Sequence, residues 1–294
     1  MIYLKRSISI LFTIFFLTLF SASLLSAVTD DPKKLLSDYG WTVYGEFDTA
    51  TKIPKQFTNS AGEYPNGLFW AYNNVLSKQI GLDLSKYRGK NVKVRMFTLN
   101  EILPESCRPF TAAMAMIVIY NEKIAGAWIS GINCGCSLDR NAVNLRQING
   151  EQWQDWLISA KIVNKNDKLD KYLSSMNEEE LILYFFESLS KGNYKDMYAC
   201  FSRRYLLNTV FYDFAKSKTF KDSLTKTFLG ENDVIERVTV IGIDVIPTLI
   251  EGNKAYKLTL KEERKGVPAM EREWVFLMRE EIPGMGPRIA DVRR

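Results

Sequence analysis

The sequence predicts an α+β fold in two domains, and three observations support this. The chain has 294 residues, which is long for one domain and ordinary for two. The second half contains a capped, strongly apolar helix, followed by four strand-like segments that can wrap it. The first half has its own helices and strands, including one strand that is apolar on both faces. Hydrophobic residues make up 46% of the chain and charged residues 25%, so each half can bury a core.

The chain begins with a segment typical of an export signal. Lys5 and Arg6 precede SISILFTIFFLTLFSASLLSAV, and no further charge occurs before Asp30. We therefore expect residues 1–28 to be a signal peptide or a membrane anchor. Small residues at 21–23 would allow cleavage, whereas the uncharged stretch is also long enough to span a bilayer. In either case the body is exported, as a secreted protein or one held at the outer face of the cytoplasmic membrane, because the positive charge stays inside.

Residues 29–160 are predicted to form the first α+β domain. Asp31 and Pro32 are a cap and first-turn pair typical of a helix start, and Gly40 would end that helix. Alternating or apolar runs predict the strands, and an apolar stripe before Gly81 predicts a longer helix. The elements expected next are a strand at 41–47, a helix at 68–80, a strand at 92–97, the central strand at 112–120, a turn at 121–123 and a paired strand at 124–130.

Two stretches of this half carry a family resemblance. YNNVLSKQIGLDLSKYRGKNVKV at residues 72–94 and VIYNEKIAGAWIS at 118–130 resemble an uncharacterised extracytoplasmic domain family of spore-forming bacteria. That family has a Gly-Trp pair ahead of an Ile-Pro step, which residues 40–41 and 53–54 match. The resemblance covers residues 33–132 and implies a small exported α+β domain with no known activity. LDLSKYRGK itself predicts a tight turn, or alternatively a ligand loop that carries lysine and arginine.

The four cysteines leave their pairing open. Cys134 and Cys136 lie one residue apart, Cys107 precedes the central strand, and Cys200 lies in the other half. In an exported protein we expect a structural disulfide, between Cys107 and either Cys134 or Cys136. A strained, redox-active bond between Cys134 and Cys136 is a second interpretation. A soft-metal site is a third, weakened by the absence of histidine, so no metal and no cofactor is expected.

A helix and a linker are expected between the halves. Residues 149–160 place Trp153 and Trp156 on one face of an amphipathic helix, with Asn149 and Gln152 as a capping box. An aromatic stripe at this spacing indicates core packing. Residues 161–176 are rich in lysine and aspartate without strong periodicity, which predicts a linker.

Residues 177–294 are predicted to form the second α+β domain. Asn177 and Glu180 form a capping box in front of a helix with a wide apolar face. Asn193 can cap a second helix, and a rougher third helix is expected over residues 210–228. Four strands then follow, over residues 235–246, 256–261, 273–278 and 288–293.

This order of elements resembles the nuclear-transport-factor-two-like cone. The resemblance implies a curved, mostly antiparallel sheet wrapped on a helix, often with an apolar pocket at its open end. Alternation places apolar side chains on the interior face of the sheet, and Lys257, Lys261 and Glu273 on the opposite face. The predicted pocket residues are Tyr184, Tyr198, Tyr256, Trp274 and Phe276.

A catalytic cone would need a carboxylate or tyrosine aimed into that pocket. The available aspartates are Asp213, Asp244 and Asp291, and they form no pair at an informative spacing. We interpret each as a solvated or capping carboxylate rather than an acid or base.

The composition narrows the classes of function. The chain contains no histidine, which excludes Ser-His-Asp and Cys-His catalysis and the HExxH zinc site. The net charge of +5 is small and no basic run is interleaved with aromatic residues, so no nucleic-acid partner is expected. The sequence favours a non-catalytic extracytoplasmic module that binds a small apolar ligand or a protein partner, with a homodimer as one option. The alternatives are a cone-type lyase or isomerase, and a thiol-redox protein that uses Cys134 and Cys136.

Overall fold

The computed structural model of the protein describes residues 30–101, 114–131, 134–139, 150–208, 235–264 and 266–293. The predicted leader at 1–28, Cys107 and the helix expected over residues 210–228 lie outside these ranges. The described chain is α+β, with two antiparallel sheets and helices packed against them. Within these ranges, no helix combines the length and the apolar character needed to cross a bilayer.

The first half is built on a five-stranded antiparallel meander. Its strands are β1 (Val43–Lys52), β2 (Asn91–Leu99), β3 (Met114–Tyr120), β4 (Lys123–Gly131) and β5 (Cys134–Cys136), paired in chain order. Its helices are α1 (Pro32–Asp38), α2 (Asn66–Lys78) and a 3₁₀ helix (Leu84–Tyr87). Strand β3 lies at the centre of the sheet, which confirms the prediction made from its apolar sequence. A central strand covered on both faces has no polar side, so both of its rows are apolar.

Helices cover both faces of this sheet. Helix α2 buries Trp70, whose ring packs edge-on against Trp128 of β4 with 6.3 Å between centroids. On the opposite face, α1 buries Leu35 and Leu36 in one cluster with Phe97 of β2. Each of the two helices therefore buries an apolar part of one face of the sheet.

The segment between the halves is packed, whereas the sequence predicted a linker at 161–176. Helix α3 (Trp153–Ser159) begins after Gln152, whose side chain makes no capping bond. Asn149, the other member of the predicted capping box, lies outside the described residues. Helix α4 (Lys168–Ser174) lies inside the expected linker, and its Asp170 and Leu173 are buried. The charged residues of this segment indicated a linker, but one of them, Asp167, caps the helix by accepting hydrogen bonds from two backbone N–H groups.

The second half combines two consecutive helices with a four-stranded antiparallel meander. The helices are α5 (Glu178–Ser190) and α6 (Tyr194–Cys200), and residues 203–208 are also helical. The strands are β6 (Ile235–Ile246), β7 (Asn253–Arg264), β8 (Val267–Glu280) and β9 (Pro287–Arg293), paired in chain order. The predicted capping box is confirmed: Asn177 and Glu180 exchange two hydrogen bonds of 2.9 Å at the start of α5.

Helix α5 lies on the interior face of the second sheet. Its Phe185 is completely buried and contacts Phe276 of β8, with 5.8 Å between ring centroids. Leu183, on the other side of the helix, is 50% exposed. The helix is therefore covered by the sheet on one side and is not enclosed.

One apolar core runs through both halves. Tyr72 of α2 packs edge-on against Trp153 and Trp156 of α3, at 5.9 and 5.8 Å between ring centroids. The Trp153 indole N–H donates to Glu281 beyond β8 at 2.8 Å, and the Arg204 guanidinium lies 3.9 Å from the Trp153 ring centroid. Helix α3 therefore connects the first sheet to the second.

Candidate functional site

The interior face of the second sheet changes from apolar to charged along one strand. Alternate residues of β7 face the interior, since side chains alternate between the two faces of a strand. The first three of these residues are apolar or aromatic and the fourth is a glutamate, yet none is more than 4% exposed. In chain order they are Tyr256, Leu258, Leu260 and Glu262. A carboxylate therefore lies in the row that otherwise forms the core.

Glu262 is buried between two arginines. It is 1% exposed, and its Oε2 accepts a hydrogen bond from Nη2 of Arg264 at 2.9 Å. The Nε of Arg272, on the neighbouring strand β8, lies 3.0 Å from the same oxygen. A buried carboxylate needs such partners because removing its charge from water is costly. Two positive charges surround one negative charge, so the site has a net positive charge.

The guanidinium groups of Arg264 and Arg272 can still bind an anion. The Arg264 and Arg272 side chains are 23% and 36% exposed, so both are partly open to solvent. The Nε of Arg264 is buried and has no hydrogen-bond partner in the described chain. A buried donor without a partner raises the free energy of the folded state. Guanidinium groups bind carboxylates and phosphates through paired N–H donors, so an anionic group fits this site chemically.

Three of the five predicted pocket residues lie on this interior face, but in its packed part. Tyr256, Trp274 and Phe276 are at most 4% exposed. The Phe276 ring lies 5.8 Å from Phe185 and 5.6 Å from Phe186, both on α5. The aromatic side chains of α5 therefore fill the space where the sequence placed an apolar pocket. The partly open region begins farther along β7, at Glu262.

For Tyr184 and Tyr198 the sequence allows a place at the mouth of that pocket, but it favours core packing with an outward hydroxyl group. Tyr184 donates a short hydrogen bond to Asp196 of α6, and its ring lies 5.5 Å from that of Tyr172 in α4. Burial, and then the bond to Asp196, raise the pKa of Tyr184 well above its usual range. Tyr198 is 7% exposed within α6. Tyr184 thus belongs to the layer of helices, and its hydroxyl group is bonded to Asp196.

The aspartates considered for catalysis lie elsewhere. Asp244 is exposed on β6 and pairs across the sheet with Lys257, on the outer face. Asp291 accepts hydrogen bonds of 2.9 Å from the Val292 N–H and from Arg293, its own neighbours in β9. Asp213 lies outside the described residues. Neither described aspartate contacts the Glu262 site.

The cysteines are only partly described. Cys136 of β5 and Cys200 of α6 are completely buried. Cys200 is a free thiol, and burial raises its pKa well above its usual value. Cys107 and the side chain of Cys134 lie outside the described part, so the disulfide stays a prediction. In the portion of the chain that the structure describes, no three Cys, Asp or Glu side chains are grouped to hold a metal ion.

A second charged cluster lies between α4, the helical residues 203–208 and β9. Asp170, which is 1% exposed, accepts hydrogen bonds from Arg203 at 3.0 and 2.8 Å and from Arg288 at 3.2 Å. Glu281 accepts from the backbone N–H groups of Arg203 and Arg204 at 2.6 and 2.8 Å. The hollow beside these residues has a volume of about 10 Å³, room for one water molecule. This cluster therefore joins helices to the sheet and offers no space for a ligand.

Sequence reasoning missed Glu262 although a signal was present. The alternation that assigned Tyr256, Leu258 and Leu260 to the interior face continues to Glu262 two residues later. The predicted strand ended at residue 261, whereas β7 continues to Arg264. The partners of Glu262 could not be predicted in this way, because Arg272 is set opposite Leu260 only by the register of β8.

Comparison with known proteins finds one family model that is similar to part of the first half. A domain of unknown function (DUF4830) matches residues 35–129, which supports the uncharacterised domain expected in the first half. The matched range runs from α1 into β4 and ends before the second half begins. No curated protein and no solved structure matches the chain. The family has no assigned activity, and the Glu262 site lies outside the matched range.

Proposed function

We propose that the protein is an exported, non-catalytic binding module whose second half holds a small molecule with an anionic group. One observation carries the proposal: a buried carboxylate, Glu262, is shared by Arg264 and Arg272 at the end of an apolar row. Export rests on the predicted leader at residues 1–28. For the fold of the second half we propose the cone, in which the sheet bends around α5.

The charge balance of the site favours an anion. Arg264 and Arg272 supply two positive charges against the single charge of Glu262, and among the described residues they pair with no other carboxylate. A bound carboxylate would neutralise the excess charge and accept a hydrogen bond from the buried Nε of Arg264. Hydrogen bonds between charged groups are about twice as strong as those between neutral groups.

The side chains next to the charged site favour a ligand that also has an apolar part. Val240 of β6 lies opposite Leu260, beside the charged site, and both side chains pack in the apolar core on the interior face of the sheet. Met270 of β8 lies opposite Glu262 and is 46% exposed. A ligand that covers Met270 would be stabilised by burial of apolar surface. The expected ligand class is thus a small amphiphile with a carboxylate or a similar anionic head, which refines the apolar ligand that the sequence suggested.

Calorimetric titration with two matched probes tests this proposal. Decanoate and decanol have the same chain length and differ in the anionic head. We expect decanoate to bind and decanol to bind at least tenfold more weakly, since a charged hydrogen bond contributes about 1.5–3 kcal/mol. Equal binding of both probes, or binding of neither, would overturn the anionic-ligand proposal.

Variants then locate the site. Arg264→Met should remove most of the preference for decanoate over decanol, whereas Lys261→Met, on the exposed side of the same strand, should leave it unchanged. Arg264→Lys keeps the charge and provides a second variant if the methionine variant does not fold. The protein would be an enzyme if it converted a ligand chemically and if Glu262→Gln abolished that conversion. This result would refute the non-catalytic part of the proposal.

A further inference from the structure

One end of the first sheet gathers exposed cations that are separated in the sequence. They come from the end of β1 and the residues after it, from the loop that contains the 3₁₀ helix, and from the start of β4. Each is exposed to solvent. The six side chains, here called the basic end, are Lys52, Lys55, Lys86, Arg88, Lys90 and Lys123.

Backbone contacts hold these segments together. The Ile53 N–H donates to the carbonyl of Lys90 at 3.0 Å, and the Gly89 N–H donates to the carbonyl of Ile53 at 2.9 Å. Gly89 has a φ of +76°, so the turn between Arg88 and Lys90 suits glycine. On the other side, the Tyr87 ring lies 5.5 Å from that of Tyr120, directly before the turn that leads to Lys123. Backbone and ring contacts therefore hold the segments of the basic end next to one another.

The charges of the basic end are not neutralised by the protein. None of the six cations forms an ion pair within the described chain; Arg88 donates a hydrogen bond to the Ser85 carbonyl and lies over the Phe57 ring. Nearby on β2, Lys93 and Arg95 share the single carboxylate of Asp48. Asp30 and Glu122 line the neighbouring groove, and Asp83, which caps the 3₁₀ helix, pairs with Lys78 outside the basic end.

The chain enters the fold at the same end of the sheet. Asp30 and Pro32, at the start of α1, line one groove with Lys93, Tyr120 and Glu122. Helix α1 then runs along the sheet toward its opposite end, where the backbone N–H of Thr42 donates to Glu101 at 2.9 Å. Residues 1–29 are therefore attached beside the basic end. If they form the predicted leader or anchor, this end is the part of the fold that is closest to the membrane.

We propose that the basic end docks on anionic phospholipid at the outer face of the membrane. Each lysine or arginine near an anionic bilayer strengthens binding about fivefold, and the effect decays within a Debye length. Six such cations on one rigid end give a strong attraction once the neighbouring leader has brought the domain to the surface. Half-buried Tyr87 and Tyr120 lie among them, and tyrosine is enriched where proteins meet the bilayer surface. This surface is separate from the Glu262 site, so each proposal can fail without the other.

Chemical footprinting of the full chain tests the docking. The protein is reconstituted with vesicles of phosphatidylcholine alone or of phosphatidylcholine mixed equally with phosphatidylglycerol, and the acetylation rate of each lysine is measured by mass spectrometry. We expect Lys52, Lys86 and Lys90 to react severalfold more slowly on the anionic vesicles. Lys257 and Lys261, on the second sheet, should react equally on both. At 1 M salt, where the Debye length is about 3 Å, the difference should disappear.

A charge-reversal variant gives an independent measurement. Replacing Lys52, Lys86 and Lys90 with Glu should abolish the protection of the remaining reporters, Lys55 and Lys123. The matched control replaces three exposed lysines of the α4 region with Glu and should keep that protection; these are Lys165, Lys168 and Lys171. Equal acetylation of the basic end on the two vesicle types, or protection that persists at 1 M salt, would overturn the proposal. Equal loss of protection in the control variant would also overturn it, because the effect would then follow net charge and not this surface.

Discussion

The carboxylate of Asp170 receives both of its closest hydrogen bonds from one Nη2 atom of Arg203, at 3.0 and 2.8 Å. The two side chains are 1% and 8% exposed, so this ion pair is buried. Arg288 of β9 approaches the same carboxylate from the sheet at 3.2 Å. One aspartate thus links α4, the helical residues 203–208 and the last strand. Helix α4, which lies within the expected linker, is therefore packed against other helical residues and against the second sheet.

Asp170→Asn should strongly destabilise the protein. The substitution preserves the shape of the side chain but leaves two buried guanidinium groups without their counterion, which costs about 3–5 kcal/mol. The measurement is the free energy of unfolding from urea denaturation. The control is Glu273→Gln, which breaks an exposed pair with Lys257 and should cost less than about 1 kcal/mol. Similar costs for the two variants would contradict a structural role for Asp170.

Gly67→Ala should destabilise α2, although alanine is a better helix former than glycine. A Cβ atom at this position would lie 2.0 Å from the carbonyl oxygen of Thr58, which is backbone and cannot rotate away. We expect a loss of about 1–3 kcal/mol in the free energy of unfolding. Gly242→Ala is the comparison, because its nearest atoms lie at 3.4 Å in the Thr259 side chain. A Gly67→Ala variant as stable as the parent would show that the loop at Thr58 moves easily.

The ionisation of Glu178 should make the free energy of unfolding depend on pH in the acidic range. Burial by itself would raise the pKa of Glu178, but the hydrogen bond from Lys254, at 2.7 Å, holds the pKa below its usual value. Glu178 therefore binds its proton more tightly in the unfolded chain than in the native protein. The stabilisation of the native state by the ionised Glu178 is fully present above the unfolded pKa of about 4.3. It is lost as the pH falls through the lower native pKa.

The check is the urea midpoint of Glu178→Gln and of the parent protein between pH 3 and pH 7. The difference between the two should be constant near neutral pH and should shrink below about pH 4, where the parent loses the ion pair. Glu179→Gln, one residue further along α5, serves as the control. A difference that is independent of pH over this range would show that the Lys254 pair does not stabilise the fold.

Cys200 should resist alkylation in the native protein. It is completely buried, and burial raises its pKa, so little thiolate is present and reagents cannot reach it. Iodoacetamide at pH 8 should modify Cys200 only after denaturation, as detected by peptide mass spectrometry. The same denatured sample, without reductant, reports whether Cys107, Cys134 and Cys136 are held in a disulfide. Rapid native modification of Cys200 would mean that α6 opens readily.

Local chemistry explains which features of the fold could be predicted. The Asn177–Glu180 capping box depends on four consecutive residues, and it is present as expected. The central position of β3 follows from its continuous apolar run. Helix α4 was missed because its stability comes from Asp170 and Leu173, which are buried by contacts with distant parts of the chain. Propensity alone gives little signal for a helix of this length.

The sequence by itself determined the fold class, the starts of helices α1, α5 and α6, the inward-facing rows of β7 and β8, and the uncharacterised domain of the first half. Those features depend on neighbouring residues and on the periods of helix and strand. Only the tertiary structure decided that Arg272 reaches Glu262, that aromatic side chains of α5 fill the expected pocket, and that six cations meet at one end of the first sheet. Each of these depends on strand register and on packing between distant segments, which no local pattern specifies.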